Sequence, residues 1–219
     1  MAKPIIKSKK DGSLIVISGP TSAGKGTIRE ELLKKHTEMH YSVSMTTRYQ
    51  REDEIDGKQY YFVTREKFEE KIKNNEMLEY IVGHHGNYYG TPKDIIEEKL
   101  AQGIDVLMEI DIYGALKIKE PFPNAIQIFI MPPDMETLIS RLKKRGAESK
   151  EKMIERVKTA YQEINEISTY NYVVVNDELE DAVRKVEAII TSEKCRVDRI
   201  DAIEVDNKEE LLHDLLMEN

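Results

Sequence analysis

A glycine-rich turn stands between a short apolar run and a helical segment near the start of the chain. The apolar run is Leu14–Ser18, and the turn fills the pattern Gly-x-x-x-x-Gly-Lys with Gly19, Gly24 and Lys25. Glycines in this arrangement let backbone N–H groups turn inward around phosphate oxygens, and the start of the following helix adds partial positive charge. Lys25 is then placed to reach the β- and γ-phosphates of a nucleotide. The alternative, a turn that merely joins strand to helix, is disfavoured because spacing and context agree.

The turn departs from the usual phosphate-loop pattern in one place. Gly26 stands where serine or threonine ordinarily follows the lysine, and Thr27 comes one residue later. The hydroxyl of that serine or threonine is normally a ligand of Mg²⁺. We therefore expect Mg²⁺ that accompanies a nucleotide here to be held mainly by water and phosphate oxygens.

Apolar runs alternate with helical patterns along most of the remaining chain. The strand-like runs after the first are 105–111, 125–130 and 172–176, and helical spacing of apolar residues follows at 135–142 and 153–167. Strands that alternate with helices predict a parallel sheet covered on both faces, which is a three-layer α/β fold. Thr91 and Pro92 are expected to be the N-cap and first residue of a further helix. That helix would run to about Gln102 and end before Gly103.

The segment 41–89 has a different character, with short β-like stretches between polar turns and one helix near 66–74. We predict that it is a small, mostly β insertion into a core formed by 1–40 and 90–194. A charged link within the core gives a lid at about 141–156. The remainder, 195–219, is predicted to be a helical extension, because four leucines near its end share one helical face. The pattern leaves open whether that face packs on the body of the protein or on a second copy in a homodimer.

Composition excludes several classes of function. The 219 residues carry a formal net charge of −8, which argues against a general nucleic-acid binder. No apolar run reaches the roughly 18 residues that a membrane-spanning helix needs. Cys195 is the only cysteine and cannot form an internal disulfide, which suits a reducing cytoplasm.

Several short motifs follow one another in a characteristic order. They are Ser42-Val43-Ser44-Met45-Thr46-Thr47-Arg48, then Arg51, Glu54, Gly57, Tyr60-Tyr61-Phe62-Val63, Asn87-Tyr88-Tyr89-Gly90-Thr91, Glu109-Ile110-Asp111, Gly114-Ala115, Arg141-Leu142, Arg145-Gly146, Arg156 and Asn176-Asp177. With these motifs the chain resembles the guanylate kinase family over about residues 14–194. The resemblance implies a P-loop kinase fold and transfer of the γ-phosphoryl group of ATP to GMP, with Mg²⁺ accompanying ATP.

The resemblance also implies which residues bind GMP. They are Ser44, Arg48, Arg51, Glu54, Tyr60, Glu79, Tyr89, Thr91 and Asp111. Arginine and tyrosine side chains offer donors for the GMP phosphate, and the Glu79 carboxylate complements the N1–H and N2–H₂ donors of guanine. Taken alone, the arginines would be interpreted as a solvated pair and Glu79 as an exposed strand residue.

The remaining roles follow from the same resemblance. The predicted catalytic residues are Lys25 and three arginines of the lid, Arg141, Arg145 and Arg156, because phosphoryl transfer spreads negative charge that cations stabilise. The predicted ATP-binding residues are Gly19, Pro20, Thr21, Ser22, Ala23, Gly24, Lys25, Gly26, Thr27 and Asn176. Asp111, which is expected to end a core strand, faces the GMP base or hydrated Mg²⁺, and Glu109 supports it from the same face.

Some residues depart from the family pattern. Asp53 and Tyr113 stand where the family usually has glycine and glutamine, and His84-His85 adds about one residue to a loop. Two other functions stay open at this point: a kinase for another nucleoside monophosphate, and a non-catalytic module that binds protein partners. Acceptance of dGMP is also expected, since no residue named above is assigned to the ribose 2′-hydroxyl.

Overall fold

A computed structural model describes residues 6–8, 11–83, 86–144 and 149–203. In chain order the strands are β1 (Ile6–Ser8), β2 (Leu14–Ser18), β3 (His40–Ser42), β4 (Met45–Thr46), β5 (Tyr61–Phe62), β6 (Met77–Val82), β7 (Tyr88–Pro92), β8 (Val106–Glu109), β9 (Ile126–Met131), β10 (Tyr172–Val175) and β11 (Ile200–Ile203). The α-helices are α1 (Lys25–Lys35), α2 (Arg65–Lys73), α3 (Asp94–Ala101), α4 (Ile112–Ile118), α5 (Met135–Lys144), α6 (Lys150–Asn165) and α7 (Leu179–Lys194).

The larger sheet is parallel and has the strand order β10-β9-β2-β8-β3 within the described residues. Its central strand β2 is buried along its whole length, as expected of a strand covered on both faces. Side chains of α1 and α7 pack on one face, and side chains of α3 and α4 pack on the other. These layers confirm the predicted three-layer α/β fold. Because all five strands run the same way, the loops after β2, β8, β9 and β10 meet at one edge of the sheet.

The smaller sheet has the order β5-β4-β7-β6 and is mostly antiparallel. Helix α2 covers it by burying Phe68 against Met45 and Met77. Thr64 begins this helix as its N-cap, since its side chain accepts a hydrogen bond from the backbone N–H of Lys67. The predicted helix near 66–74 is therefore confirmed. The division of the chain into core, insertion and extension stays a prediction; β3 pairs within the larger sheet, and β7 extends the smaller one to Pro92.

The prediction that Thr91 and Pro92 begin a helix is wrong. Both residues end strand β7, where Thr91 pairs with Glu79 and Pro92 with Met77, and helix α3 begins only at Asp94. Strand pairing satisfied this stretch of backbone and overrode a local capping signal. The predicted end of the helix is confirmed, because Gln102 is its C-cap and Gly103 follows with a φ of +79°.

The prediction that Asp111 ends a core strand is also wrong. Strand β8 stops at Glu109, and Asp111 is instead the N-cap of α4, where its Oδ1 accepts a hydrogen bond of 2.8 Å from the backbone N–H of Gly114. An aspartate just before an apolar helical face is a strong N-cap, and this tendency outweighed continuation of the strand.

The predicted helical extension 195–219 is wrong as far as residue 203. Val197–Arg199 forms one 3₁₀ turn, and β11 then pairs antiparallel with β1. The four leucines, Leu211, Leu212, Leu215 and Leu216, lie outside the described residues, so a homodimer through them stays a prediction. Among the described residues, no helix combines the length and the apolar character that crossing a membrane requires.

Candidate active site

The glycine-rich turn lies between β2 and α1, at the edge where the strands of the larger sheet end. Gly19 has a φ of +136° and Gly24 a φ of +96°, a region that other residues rarely adopt. A Cβ atom on Gly19 would stand 2.2 Å from the carbonyl oxygen of Ile130, and one on Gly24 would stand 2.1 Å from Nδ2 of Asn176. Both positions therefore require glycine, for conformation and for space.

Lys25 is the first residue of α1 and points back over the loop. Its Nζ donates hydrogen bonds to the carbonyl oxygens of Gly19 at 2.5 Å and Pro20 at 3.1 Å. Ala23 is fully buried, whereas Thr21 and Thr27 are exposed on either side of it. Lys25 thus bridges the start of the loop through two hydrogen bonds, while the two threonines are exposed to solvent.

Asn176 connects the loop to β10, the strand at the edge of the larger sheet. This buried residue follows β10, and its Nδ2 donates to the carbonyl oxygen of Ala23 at 2.8 Å. The backbone carbonyl oxygen of Asn176 accepts a hydrogen bond of 3.1 Å from Nη2 of Arg141. The structure thus brings Asn176 and Arg141, two residues predicted for the site, to the phosphate loop.

A cleft of about 700 Å³ joins the loop to the smaller sheet. Residues of the loop line one side and residues predicted to bind GMP line the other, among them Ser44, Glu54 and Tyr60. The loop and this part of the smaller sheet therefore share a single space, large enough for phosphate groups to meet.

Glu79 lies on β6 and is only 6% exposed, so the interpretation as an exposed strand residue is wrong. Its Oε1 accepts a hydrogen bond of 2.8 Å from the hydroxyl of Thr91, which in turn lies 3.0 Å from the hydroxyl of Ser44. Burial raises the pKa of the Glu79 carboxyl to about 7, and the charge of Asp111 adds to this effect, whereas the bond from Thr91 opposes it. A carboxyl in this environment gains much from any ligand that donates hydrogen bonds to it.

Arg48 and Glu54 form a two-pronged ion pair at the edge of the cleft. Nη1 of Arg48 donates to Oε2 of Glu54 at 2.7 Å, and Nη2 donates to Oε1. Oε2 also accepts the backbone N–H of Arg51 at 3.0 Å, while the Arg51 residue is exposed. The bonds from Arg48 hold the pKa of the Glu54 carboxyl below its usual range. Three predicted GMP-binding residues are thereby connected.

Tyr60 and Tyr89 meet edge to face, with ring centroids 5.8 Å apart. The guanidinium of Arg48 lies 5.3 Å from the centroid of the Tyr60 ring. Burial raises the pKa of the Tyr60 hydroxyl to about 12, so this group remains a hydrogen-bond donor at neutral pH. The arginine and the two tyrosines thus form one cluster beside the cleft.

Arg29 lines the cleft, although the sequence motifs did not predict it as a site residue. Its Nη1 donates to Oε2 of Glu109 at 2.8 Å and to the hydroxyl of Tyr41 at 3.1 Å, and its Nη2 donates to Glu30 at 3.0 Å. One signal could have found it: Arg29 follows Lys25 by four residues and shares its face of α1.

Of the other two predicted lid arginines, Arg156 lies in α6, whereas Arg145 lies outside the described residues. The loop insertion His84-His85 is also outside them. Among the described residues, no three His, Cys, Asp or Glu side chains come together as a metal-binding group. Glu109, in the lining of the cleft, offers carboxylate oxygens of the kind that magnesium prefers, and coordination of the ion mainly by phosphate oxygens and water stays a prediction.

The sequence pattern described as guanylate kinase matches residues 11–193. The chain belongs to the guanylate kinase family. A guanylate kinase of Clostridium tetani is 54% identical over 205 residues, which cover 94% of this chain and 98% of that one. A guanylate kinase of Caldanaerobacter subterraneus is 53% identical over 191 residues, covering 87% and 92%.

A solved structure agrees with these relatives. The crystal structure of guanylate kinase from Anaplasma phagocytophilum superposes with a TM-score of 0.73 at 32% identity, covering 97% of this chain and 98% of that one. Membership of the guanylate kinase family confirms the resemblance seen in the motifs. The individual roles of the site residues stay predictions.

Proposed function

We propose that this chain transfers the γ-phosphoryl group of ATP to GMP, giving ADP and GDP. The observation that supports it most is the buried Glu79 carboxyl, which accepts a hydrogen bond from Thr91; the Thr91 hydroxyl in turn contacts Ser44, a residue in the lining of a cleft that begins at the phosphate loop. A nucleotide on the loop and a guanine against Glu79 would present their phosphates to each other across that cleft.

The roles of the side chains follow from their places in the cleft. Backbone N–H groups of the loop and Lys25 hold the phosphates of ATP, and Asn176 keeps the loop in place through Ala23. Arg48, Arg51, Tyr60 and Tyr89 hold the GMP phosphate. Glu54 orients Arg48, and Asp111 adds negative charge near the base.

Charge on the migrating group is stabilised by Lys25, Arg141, Arg145 and Arg156, which donate to its oxygens as it moves between the two nucleotides. Closure of the lid around residues 141–156 keeps water out, since water would otherwise compete with GMP. A magnesium ion bound with ATP supplies further neutralisation of the β- and γ-phosphate charge. We place the protein in the cytoplasm.

A panel of acceptors tests the function. ATP turnover should be fast with GMP, should also occur with dGMP, and should be at least about a hundredfold slower with AMP or UMP, since mispaired buried polar groups cost about 1–3 kcal/mol each. Equal rates with AMP would favour a kinase for another monophosphate. A folded chain that turns over none of them would favour a binding module.

A further inference from the structure

Gly114 is a glycine that the backbone of its own helix does not require. It is the third residue of α4 and is buried, and it is not among the glycines with a positive φ. Alanine favours a helix more than glycine does, so propensity alone would place a larger residue here. The missing side chain therefore reflects what lies next to the helix.

The neighbour of Gly114 is the carboxylate of Glu79 on β6. A Cβ atom built on Gly114 would stand 3.0 Å from Oε2 of Glu79 and 3.4 Å from its Cδ. This approach is tighter than nearly all Cβ contacts, so one of the two groups would have to give way. Cδ1 of Ile110 would lie 3.5 Å away, which is an ordinary contact. The carboxylate is thus the group with which a side chain at this position would collide.

Two contacts hold α4 in place beside β6. The backbone N–H of Gly114 donates to Oδ1 of Asp111 at 2.8 Å, which ties the glycine into the cap of the helix. One turn further along, Nζ of Lys117 donates to the carbonyl oxygen of Tyr80 and lies 5.0 Å from the centroid of the Tyr80 ring. Tyr80 is the neighbour of Glu79 on the strand. The carboxylate, at the far end of a side chain, is therefore the group that would move.

A shift of this carboxylate matters because its two oxygens have different surroundings. Oε1 accepts the hydrogen bond of 2.8 Å from the Thr91 hydroxyl, whereas Oε2 faces Gly114. Guanine offers two neighbouring donors, N1–H and N2–H₂, and a carboxylate satisfies both only when its two oxygens lie in line with them. Hypoxanthine has no 2-amino group, so it offers N1–H alone on this edge and tolerates a tilted carboxylate.

We propose that Gly114 is a positioning residue that leaves room for Oε2 of Glu79 and thereby favours a purine with a 2-amino group over one without it. The inference rests on the proposed use of GMP as the acceptor. It assigns part of the selectivity between GMP and inosine monophosphate (IMP) to a residue that acts through the direction of the Glu79 carboxylate.

The relative rates with GMP and IMP provide the test. Gly114→Ala should lower kcat/KM for GMP about tenfold, mainly through KM, because one buried donor is left mispaired. It should lower kcat/KM for IMP by less than about threefold and leave the KM for ATP unchanged, so the preference for GMP narrows. Tyr113→Ala, on the exposed preceding residue of the same helix, is the control and should keep the preference of the parent.

A double-mutant cycle shows whether Gly114 acts through Glu79. In a Glu79→Ala background there is no carboxylate to displace, so adding Gly114→Ala should change kcat/KM for GMP by less than about twofold. The urea midpoint of unfolding gives a second measurement that needs no nucleotide. Gly114→Ala should raise this midpoint in the Glu79→Ala background, where the helix gains a better residue, and raise it less or lower it in the parent.

Four results would overturn the inference. They are unchanged GMP efficiency in Gly114→Ala, an equal loss for GMP and IMP, an equal loss with and without the Glu79 carboxylate, and an equal shift of the urea midpoint in both backgrounds. Failure of the proposed function looks different, because the parent chain would then not phosphorylate GMP even though the urea midpoints still showed Gly114 and Glu79 to be coupled.

Discussion

The phosphate loop and the smaller sheet face the same cleft with different kinds of groups. In the loop the groups proposed to hold phosphate are mostly backbone N–H groups, and Gly19 and Gly24 have the positive φ angles that such a loop requires. In the smaller sheet they are side chains that are already bonded to one another, as in the pairs Arg48–Glu54 and Thr91–Glu79. The backbone of the loop needs no exchange of side-chain partners before it binds phosphate, although Lys25 must release the Gly19 and Pro20 carbonyls, whereas the paired side chains of the smaller sheet must all exchange partners.

This difference has consequences for how each region responds to change. A substitution in the loop removes a charge or a conformation that nothing else supplies, so its effect should be large and independent of pH. A substitution in the sheet alters one member of a network, so its effect should be smaller, confined to GMP and sensitive to protonation. The following predictions test that contrast, beginning with the largest effect.

Lys25→Met should lower kcat on the order of 10²-fold or more, because it removes the cation that follows the migrating phosphoryl group. Steady-state kinetics on a variant with an unchanged melting temperature measures it. Lys34→Met, on an exposed lysine of the same helix, is the control and should stay within about threefold of the parent, under 1 kcal/mol. A Lys25→Met enzyme with near-normal turnover would contradict the role given to the loop.

Glu79→Gln should lower kcat/KM for GMP by about 10²-fold and leave the KM for ATP nearly unchanged. The amide NH₂ would face a guanine donor and leave buried groups mispaired, each worth about 1–3 kcal/mol. Glu70→Gln, on an exposed glutamate of α2, is the matched control. If both variants keep GMP efficiency within threefold of the parent, Glu79 does not bind the base.

The pH profile should also depend on Glu79, whose pKa burial raises to about 7. Because the ionised carboxylate accepts both guanine donors, kcat/KM for GMP should rise about tenfold between pH 6 and pH 8. The acid limb should shrink in Glu79→Gln to what the phosphate of GMP itself contributes, since its second pKa is about 6. An identical profile in both proteins would contradict this prediction.

The free energy of unfolding should depend on pH in the opposite direction to the activity. A carboxyl whose pKa is higher in the folded protein than in the unfolded chain stabilises the fold fully below the unfolded pKa, and that contribution is lost as pH rises through about 7. The free energy of unfolding of the parent relative to Glu79→Gln should therefore fall between about pH 4.5 and pH 7, with a slope of at most about 1.4 kcal/mol per pH unit. Urea unfolding across this range measures the difference, and a flat difference would speak against the raised pKa.

Tyr60→Phe should have the smallest effect, raising the KM for GMP about tenfold, because one hydrogen bond to a charged phosphate contributes about 1.5 kcal/mol at the lower end of its range and three other side chains still hold that phosphate. Its hydroxyl has a pKa of about 12, so this effect should be the same at pH 6 and pH 8. Tyr61→Phe, on the exposed neighbour, is the control. A strongly pH-dependent change would show that Tyr60 acts through a titrating partner instead.

The phosphate loop could be predicted from the sequence better than the side-chain contacts of the smaller sheet. Gly19, Gly24 and Lys25 follow a spacing that only one local geometry satisfies, so strand, loop and helix could all be predicted from it. Glu79 carried a weaker signal. It alternates with Met77 and Ile81 along β6 and so belongs to the inward face, but a glutamate on such a face is ordinarily rare.

The features that the sequence did not predict depend on distant partners. Thr91 and Pro92 have the local pattern of a helix start, and only the pairing with Glu79 and Met77 on β6 makes them a strand. Arg29 has no motif of its own, and its place in the cleft depends on Glu109, eighty positions further along. Contacts of this kind arise from the fold and have no local signature.

The antiparallel pairing of β1 with β11 has a consequence for the order in which parts of the chain fold. Ile6 pairs with Ile203, so this contact closes a ring of almost the entire polypeptide. Closing so long a loop costs conformational entropy before any contact compensates for it. During synthesis β11 is made after the other strands described, so we expect β1 to remain unpaired while both sheets form. Strands β1 and β11 would then pair last, after the sheets that form the cleft have folded.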